Sequence, residues 1–162
     1  MTAPAPTGLP PAGTAIVLSP DEIVALSSPY LAGGIRQEAW VIDALRIDGK
    51  RLDAVVRMER TFVSPTDAGG FHLSTFIALE FVSQLTVIYA HQQSGHVRKE
   101  REVWMLESSF SSRRPVRNPQ HIDVRLDVLW SRRRGRELWL NFGFRVSDEH
   151  GLFEGTLKAV MP

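Results

Sequence analysis

Apolar and polar positions change their period several times along this chain, and each change marks an element. From Phe71 to Gln92, FHLSTFIALEFVSQLTVIYAHQ, apolar residues fall on nearly every side of a helical repeat. That is the pattern of a helix buried from several directions. Ser74, Glu80, Ser83 and Gln84 interrupt it too often for a membrane span. Elsewhere the period is two. Leu52, Ala54, Val56 and Met58 share one face, as do Ile122, Val124, Leu126, Val128 and Trp130, and Leu138, Leu140, Phe142, Phe144 and Val146. Asp48-Gly49, between Gln37–Ile47 and Arg51–Phe62, is a hairpin signal. Val97–Ser109 and Leu152–Met161 supply further strands, and the Pro- and Arg-rich stretch Ser111–Gln120 interrupts the sheet. A short helix, Asp21–Leu26, starts at Ser19-Pro20. The predicted order is a helix, two strands, the long helix and four strands. This fits an α+β class, an antiparallel curled sheet wrapped around one long central helix. Residues 1–18, rich in Pro and Ala, read as a flexible arm, and 19–162 as a single domain.

Composition narrows the function classes. A length of 162 residues suits one domain with a real core. A net charge of +1 argues against a dedicated nucleic-acid binder. The absence of cysteine removes disulfides, thiolate metal sites and cysteine nucleophiles together. The five histidines show no metal-binding spacing. The N-terminus lacks the charged start and apolar core of a signal peptide, so a cytoplasmic protein without membrane association is expected.

Glu80 is the sharpest candidate for chemistry. It sits mid-helix among Ile77, Leu79, Phe81 and Val82, and helical spacing brings Ser83, Gln84 and Val87 to its side. An ionised carboxylate is costly there unless paired or hydrated, and a desolvated carboxyl suits general acid or base work near neutrality. The bland alternative is a structural carboxylate paired with one of the nineteen Lys and Arg residues. Ser74 reads as a helix cap that could also hydrogen-bond a substrate oxygen. Backbone amides following Gly69-Gly70, with Phe71 and His72 beside them, could face an oxyanion at the positive helix end. His72 is a possible proton carrier there, and Tyr30, in a Pro-Tyr loop, could close a pocket. Arg113, Arg114 and Arg117 could grip phosphates or a carboxylate. Arg132–Arg136, RRRGR, reads as a solvated hairpin turn, with docking of an acidic carrier protein as its functional alternative.

Several of these segments together resemble the FcoT-like hot-dog thioesterases. They are Pro29-Tyr30, Val41-Ile42-Asp43-Ala44, Ser83-Gln84-Leu85 and Arg114-Pro115-Val116-Arg117-Asn118-Pro119-Gln120. The similarity runs from about Pro29 to the C-terminus and implies a hot-dog fold acting on fatty acyl thioesters. Tyr30 stands at the family's pocket tyrosine, Ser74 and Ser83 stand where that site has asparagines, and Glu80 replaces an apolar residue. Leu79–Gln84 is also similar to the helix of β-hydroxyacyl-carrier-protein dehydratases, with Thr66 at the place of their histidine. A third set of relatives adds the amine of glycine across a 2-enoyl thioester and releases an N-carboxymethyl-3-amino acid. That resemblance implies Glu80 as the base that deprotonates glycine and then activates water, with an arginine holding glycine's carboxylate. The substrate would be carried on the phosphopantetheine of an acyl carrier protein or of coenzyme A, with no metal or redox cofactor. A plain acyl thioesterase and a non-catalytic acyl-binding protein are the alternatives, with dehydration last. A homodimer or larger homo-oligomer, joined edge to edge, is expected.

Overall fold

The computed structural model describes residues 19–26 and 38–162; the expected N-terminal arm, the Tyr30 loop and Gly33-Gly34 lie outside the described residues. Helix α1 is Pro20–Leu26, followed by β1 (Ala39–Asp48), β2 (Arg51–Arg60) and the long helix α2 (Thr75–Gln93). Four strands complete the chain: β3 (Trp104–Arg114), β4 (Ile122–Arg134), β5 (Glu137–Ser147) and β6 (Leu152–Met161). At α1, the Ser19 N–H donates to Glu22 Oε2 (2.8 Å) and the Glu22 N–H to Ser19 Oγ (3.3 Å), a reciprocal cap.

All six strands form one antiparallel sheet in the order β1-β2-β4-β5-β6-β3. The alternating residues of β2, β4 and β5 bury one face of it, and α2 lies across that face against β2, β4, β5 and β6. Phe81 and Leu85 of α2 and Phe142 of β5 have no exposed surface. Burying such a side chain stabilises the fold by roughly 1.5–3 kcal/mol before ordering costs.

Four boundaries differ from the sequence expectation, each for a local reason. Asp48 pairs with Arg51, so the β1–β2 loop is Gly49-Lys50, with Gly49 at φ +57°, one residue later than the Asp48-Gly49 signal. Phe71–Ser74 is not helical. Gly70 turns the chain at φ +78°, the Leu73 N–H pairs with Val116 O (2.8 Å), and α2 starts only after Ser74. Strand β3 begins at Trp104 rather than Val97 and runs on through Arg114. The charged residues before it pair locally, Arg98 with Glu100 and Lys99 with Glu102, and the Glu100 and Arg101 N–H groups donate to His91 Nε2. The strand stops at Pro115, which has no N–H to offer a ladder. Finally, β4 continues through Arg134, and Gly135 (φ +60°) and Arg136 alone make the turn. Arg133 reaches from this hairpin to Gln93 O (3.1 Å), placing a cation at the negative end of α2.

Candidate active site

Among the described residues, helix α2 is not covered all round. Ile77, Ala78, Phe81, Val82, Leu85 and Tyr89 face the sheet, whereas Phe76, Glu80, Ser83, Gln84 and Val87 form the stripe it leaves open. Their spacing of three and four residues stacks them along one side. The expected gathering of Glu80, Ser83, Gln84 and Val87 is therefore present.

Glu80 is half-buried, and its Oε2 accepts a hydrogen bond from Trp40 Nε1 at 3.1 Å. Trp40 comes from β1 and also packs edge-on against Phe81, with ring centroids 4.9 Å apart, so the indole that holds the carboxylate is itself held by the core. Among the described residues no arginine or lysine pairs with Glu80, and its Oε1 has no partner. The structural ion pair foreseen as the bland alternative is not seen among the described residues. What remains is a carboxylate steered by a neutral donor, with one oxygen open.

The start of α2 makes a second polar cluster. Ser74 caps the helix, its Oγ accepting from the Ile77 N–H at 3.2 Å. The Thr75 and Phe76 N–H groups, exposed at the positive helix end, have no partner among the described residues. The glycine amides are used differently. The Gly69 N–H donates to Asp67 Oδ1 (2.8 Å) and the Gly70 N–H to Asp67 O (3.1 Å), so the turn consumes both. Available oxyanion donors thus lie at Thr75 and Phe76, a few residues beyond Gly70. Phe71 is buried, and its carbonyl accepts from Arg117, which makes it part of the frame. His72 is half-exposed, its Nδ1 is 2.6 Å from Asp67 Oδ2, and it lines a groove of about 380 Å³ with Phe62, Ser74, Phe76, Pro115 and Phe153. Phe76, four residues before Glu80, belongs to both the groove and the stripe, whereas Glu80 itself does not line the groove.

The three arginines are not brought together. Arg117 lies over Gly69 and spans Asp67 and Phe71 O, where it fixes the loop. Arg113 pairs with Glu154 at 2.9 Å on the surface. Arg114 is exposed, makes no ion pair among the described residues, and stands between the groove residues Ser112 and Pro115. The segment that follows is clamped by Asp148, whose Oδ2 accepts from the Arg117 N–H (2.6 Å) and the Asn118 N–H (2.8 Å). Burial raises the Asp148 pKa, but the N–H groups of Gly151, Asn118, His150 and Arg117 outweigh it and hold the carboxyl at about 2.

Ser83 spends its only hydrogen on Leu79 O (2.7 Å), which leaves it an acceptor toward the stripe. Gln84 is exposed and borders a shallow depression with His91 and His96 at the far end of α2. Tyr30 lies outside the described residues. Trp40 and Asp67 are the contacts that sequence reasoning missed. Trp40 meets a residue forty positions away, and Asp67 looks like an ordinary turn residue until its His72 and Arg117 contacts are seen. A depression of about 550 Å³ on the outer sheet face, around Asp53, Arg125 and Arg145, holds none of the candidate residues. Its Asp53–Arg125 charges pair across strands at 2.7 Å.

No protein-family model and no curated protein matches the chain. Solved structures do. A mutant of the thioesterase PA1618 from Pseudomonas aeruginosa is 16% identical with a TM-score of 0.52, over 75% of this chain and 80% of that chain. A candidate thioesterase, yhdA of Lactococcus lactis, is 12% identical with a TM-score of 0.52, over 78% of this chain and 94% of that one. The dehydratase heterocomplex ApeI:P of Xenorhabdus doucetiae gives 14% identity and a TM-score of 0.51, over 75% and 82%. At such identities the likeness speaks for architecture: this chain has the α+β hot-dog fold.

Proposed function

We propose that the protein is an acyl-thioester-processing enzyme that adds glycine to a 2-enoyl thioester and releases the product as a free acid. The observation that carries the reading is Glu80, a half-buried carboxylate steered by Trp40, unpaired with any cation among the described residues and open at Oε1. Such a group is suited to take and return a proton. In the addition, Glu80 accepts a proton from glycine's ammonium group. The freed amine attacks the β-carbon, the C–N bond forms, and the α-carbon takes the proton back from Glu80. Atoms and charge balance with no cofactor. Arg114, exposed beside the groove, is the arginine we assign to glycine's carboxylate, because Arg113 and Arg117 are already engaged. Hydrolysis of the thioester then frees the N-carboxymethyl-3-amino acid from its acyl carrier protein or coenzyme A.

A plain acyl thioesterase is the second reading, favoured by the Thr75 and Phe76 amides, without a partner among the described residues, which would stabilise a thioester oxyanion whatever the acyl group. Mass spectrometry of the protein with a 2-enoyl thioester, with and without glycine, separates the two. A glycine adduct released as free acid supports amine addition. Equal release of enoic acid in both arms leaves the thioesterase. No turnover of enoyl or saturated thioesters on either carrier defeats both.

A homodimer accompanies this reading. Strand β3 is one edge of the sheet, and its Trp104 and Leu106 are 58% and 50% exposed. An edge with large apolar side chains and unpaired backbone groups is a pairing surface for a second copy.

A further inference from the structure

We infer that His72, oriented by Asp67, is the general base that activates water for thioester hydrolysis, while Glu80 serves the addition step. This division of labour rests on the acyl-thioester reading and assigns its release half. Three observations carry it.

The first is the geometry of the pair. His72 Nδ1 lies 2.6 Å from Asp67 Oδ2. The Gly69 N–H, the His72 ring and Arg117 hold the Asp67 carboxyl below the usual range, so it is ionised and only accepts. The proton of the pair therefore sits on Nδ1, and the lone pair of the neutral ring sits on Nε2. Asp67 cannot swing away, since Oδ1 is also tied to the Gly69 N–H (2.8 Å) and Arg117 spans both oxygens at 3.3 and 3.4 Å. A histidine set in one tautomer by a fixed carboxylate is the arrangement that makes imidazole an effective base.

The second is where Nε2 stands. It has no partner among the described residues, the side chain is 45% exposed, and the ring lines the groove beside Phe62, Phe76 and Phe153. Aromatic and aliphatic walls interrupted by the hydroxyls of Ser64, Ser74, Thr75 and Ser112 and by the His72 ring are suited to an acyl thioester and a water. The third is the relation to Glu80. Phe76 belongs to both the groove and the Glu80 stripe, and four residues, about 6 Å of rise, separate Phe76 from Glu80 along α2. The β-carbon of an enoyl thioester is two bonds from its carbonyl carbon, so the assignment requires the two groups to flank one site beside Phe76, with Glu80 serving the first and His72 the second.

The step balances. Nε2 takes a proton from water as its oxygen attacks the carbonyl carbon, and the resulting oxyanion faces the Thr75 and Phe76 N–H groups. Collapse breaks the C–S bond, and the departing thiolate takes the proton from Nε2. The ring returns to its starting state and no oxidant, reductant or metal takes part.

The test uses the full-length protein with a saturated acyl thioester, which can be hydrolysed but cannot accept an amine, and in parallel with a 2-enoyl thioester plus glycine. His72→Ala is expected to lower hydrolysis at least 100-fold, added imidazole to restore at least tenfold of that loss, and the glycine adduct to accumulate still joined to its carrier. Asp67→Asn is expected to lower kcat for hydrolysis tenfold or more with KM within twofold. Hydrolysis by His72→Ala within threefold of wild type overturns the assignment, as does a loss that imidazole leaves unchanged. A wild-type protein that turns over neither substrate defeats the acyl-thioester reading itself, an outcome distinct from an active wild type with an equally active His72→Ala variant.

Discussion

Glu80→Gln separates chemistry from structure more cleanly than any other substitution in this chain. The glutamine amide is close in shape to the carboxylate, and its oxygen can still accept the Trp40 Nε1–H bond seen at 3.1 Å. What disappears is the capacity to take a proton. No ion pair among the described residues is broken, because none is made. The stability cost is the difference between a charged and a neutral acceptor for one indole N–H, about 1 kcal/mol. For a chain of this length that is a shift of roughly 2–4 °C in Tm. A positioned general base contributes about 10²–10⁴-fold. At about 1.36 kcal/mol per decade that is roughly 3–5 kcal/mol of barrier, several times the expected loss of stability. The assay is stopped-time mass spectrometry of carrier-bound and released products from a 2-enoyl thioester with saturating glycine, beside thermal unfolding of the same samples. Adduct formation should fall at least 100-fold while Tm moves by less than about 4 °C. Adduct formation within threefold of wild type would refute Glu80 as the base. A Tm drop far beyond that window would mean that the carboxylate is structural.

Three further outcomes follow from contacts away from Glu80. Asp148 has a depressed pKa, so its contribution to stability is fully present above the unfolded value of 3.8 and is lost as pH falls toward about 2. Asp148→Asn should lower neutral-pH stability by about 2 kcal/mol and flatten the acid limb of a urea-unfolding series; an unchanged limb would show that the clamp on Arg117 and Asn118 is dispensable. Gly69→Ala puts a methyl where the Arg117 guanidinium atoms lie 2.5–2.7 Å away, and should displace Arg117 and cost about 1–3 kcal/mol in chemical denaturation. Wild-type stability in that variant would mean that the arginine yields freely. Trp104→Arg on the β3 edge should convert a dimer to monomer in sedimentation velocity, and a monomeric wild type would dispose of the edge-to-edge assembly.

Strong local patterns made most of this fold legible from sequence. Strand β5 occupies the residues where period-two alternation placed it, β6 coincides with the expected strand Leu152–Met161, and Ser74 caps the long helix as its residue type implies. The misplaced boundaries come from competition that a local pattern does not show. Val97–Val103 looks extendable, yet its alternating charges satisfy one another, and His91 takes two backbone N–H groups that a strand would need. Arg113 and Arg114 look like loop residues beside Pro115, yet β6 offers them a ladder. The site was readable at Glu80 because a carboxylate amid apolar residues is anomalous at any level of description. Asp67 was not, because Asp followed by Ala-Gly-Gly is ordinary turn chemistry. Its second role exists only once Arg117, fifty positions on, is folded over Gly69.

The fold itself explains why the chemistry gathers where it does. A sheet that packs against one face of a helix leaves the opposite stripe for something else to cover. A chain selected for stability alone would fill that stripe with solvated charges. Here it carries Phe76, Val87 and one carboxylate held by a neutral donor, a combination suited neither to open water nor to a dry core. At the start of the same stripe the Thr75 and Phe76 amides have no partner among the described residues, and the Asp67–His72 pair stands beside them in a groove lined in part by aromatic rings. The His72 ring, the Thr75 and Phe76 amides and the Glu80 carboxylate thus follow one another in sequence from the loop before α2 into the helix. A structural role for Glu80 alone would account for neither the amides nor the Asp67–His72 pair, and it is on their joint presence beside the same helix that the proposed enzymatic reading rests.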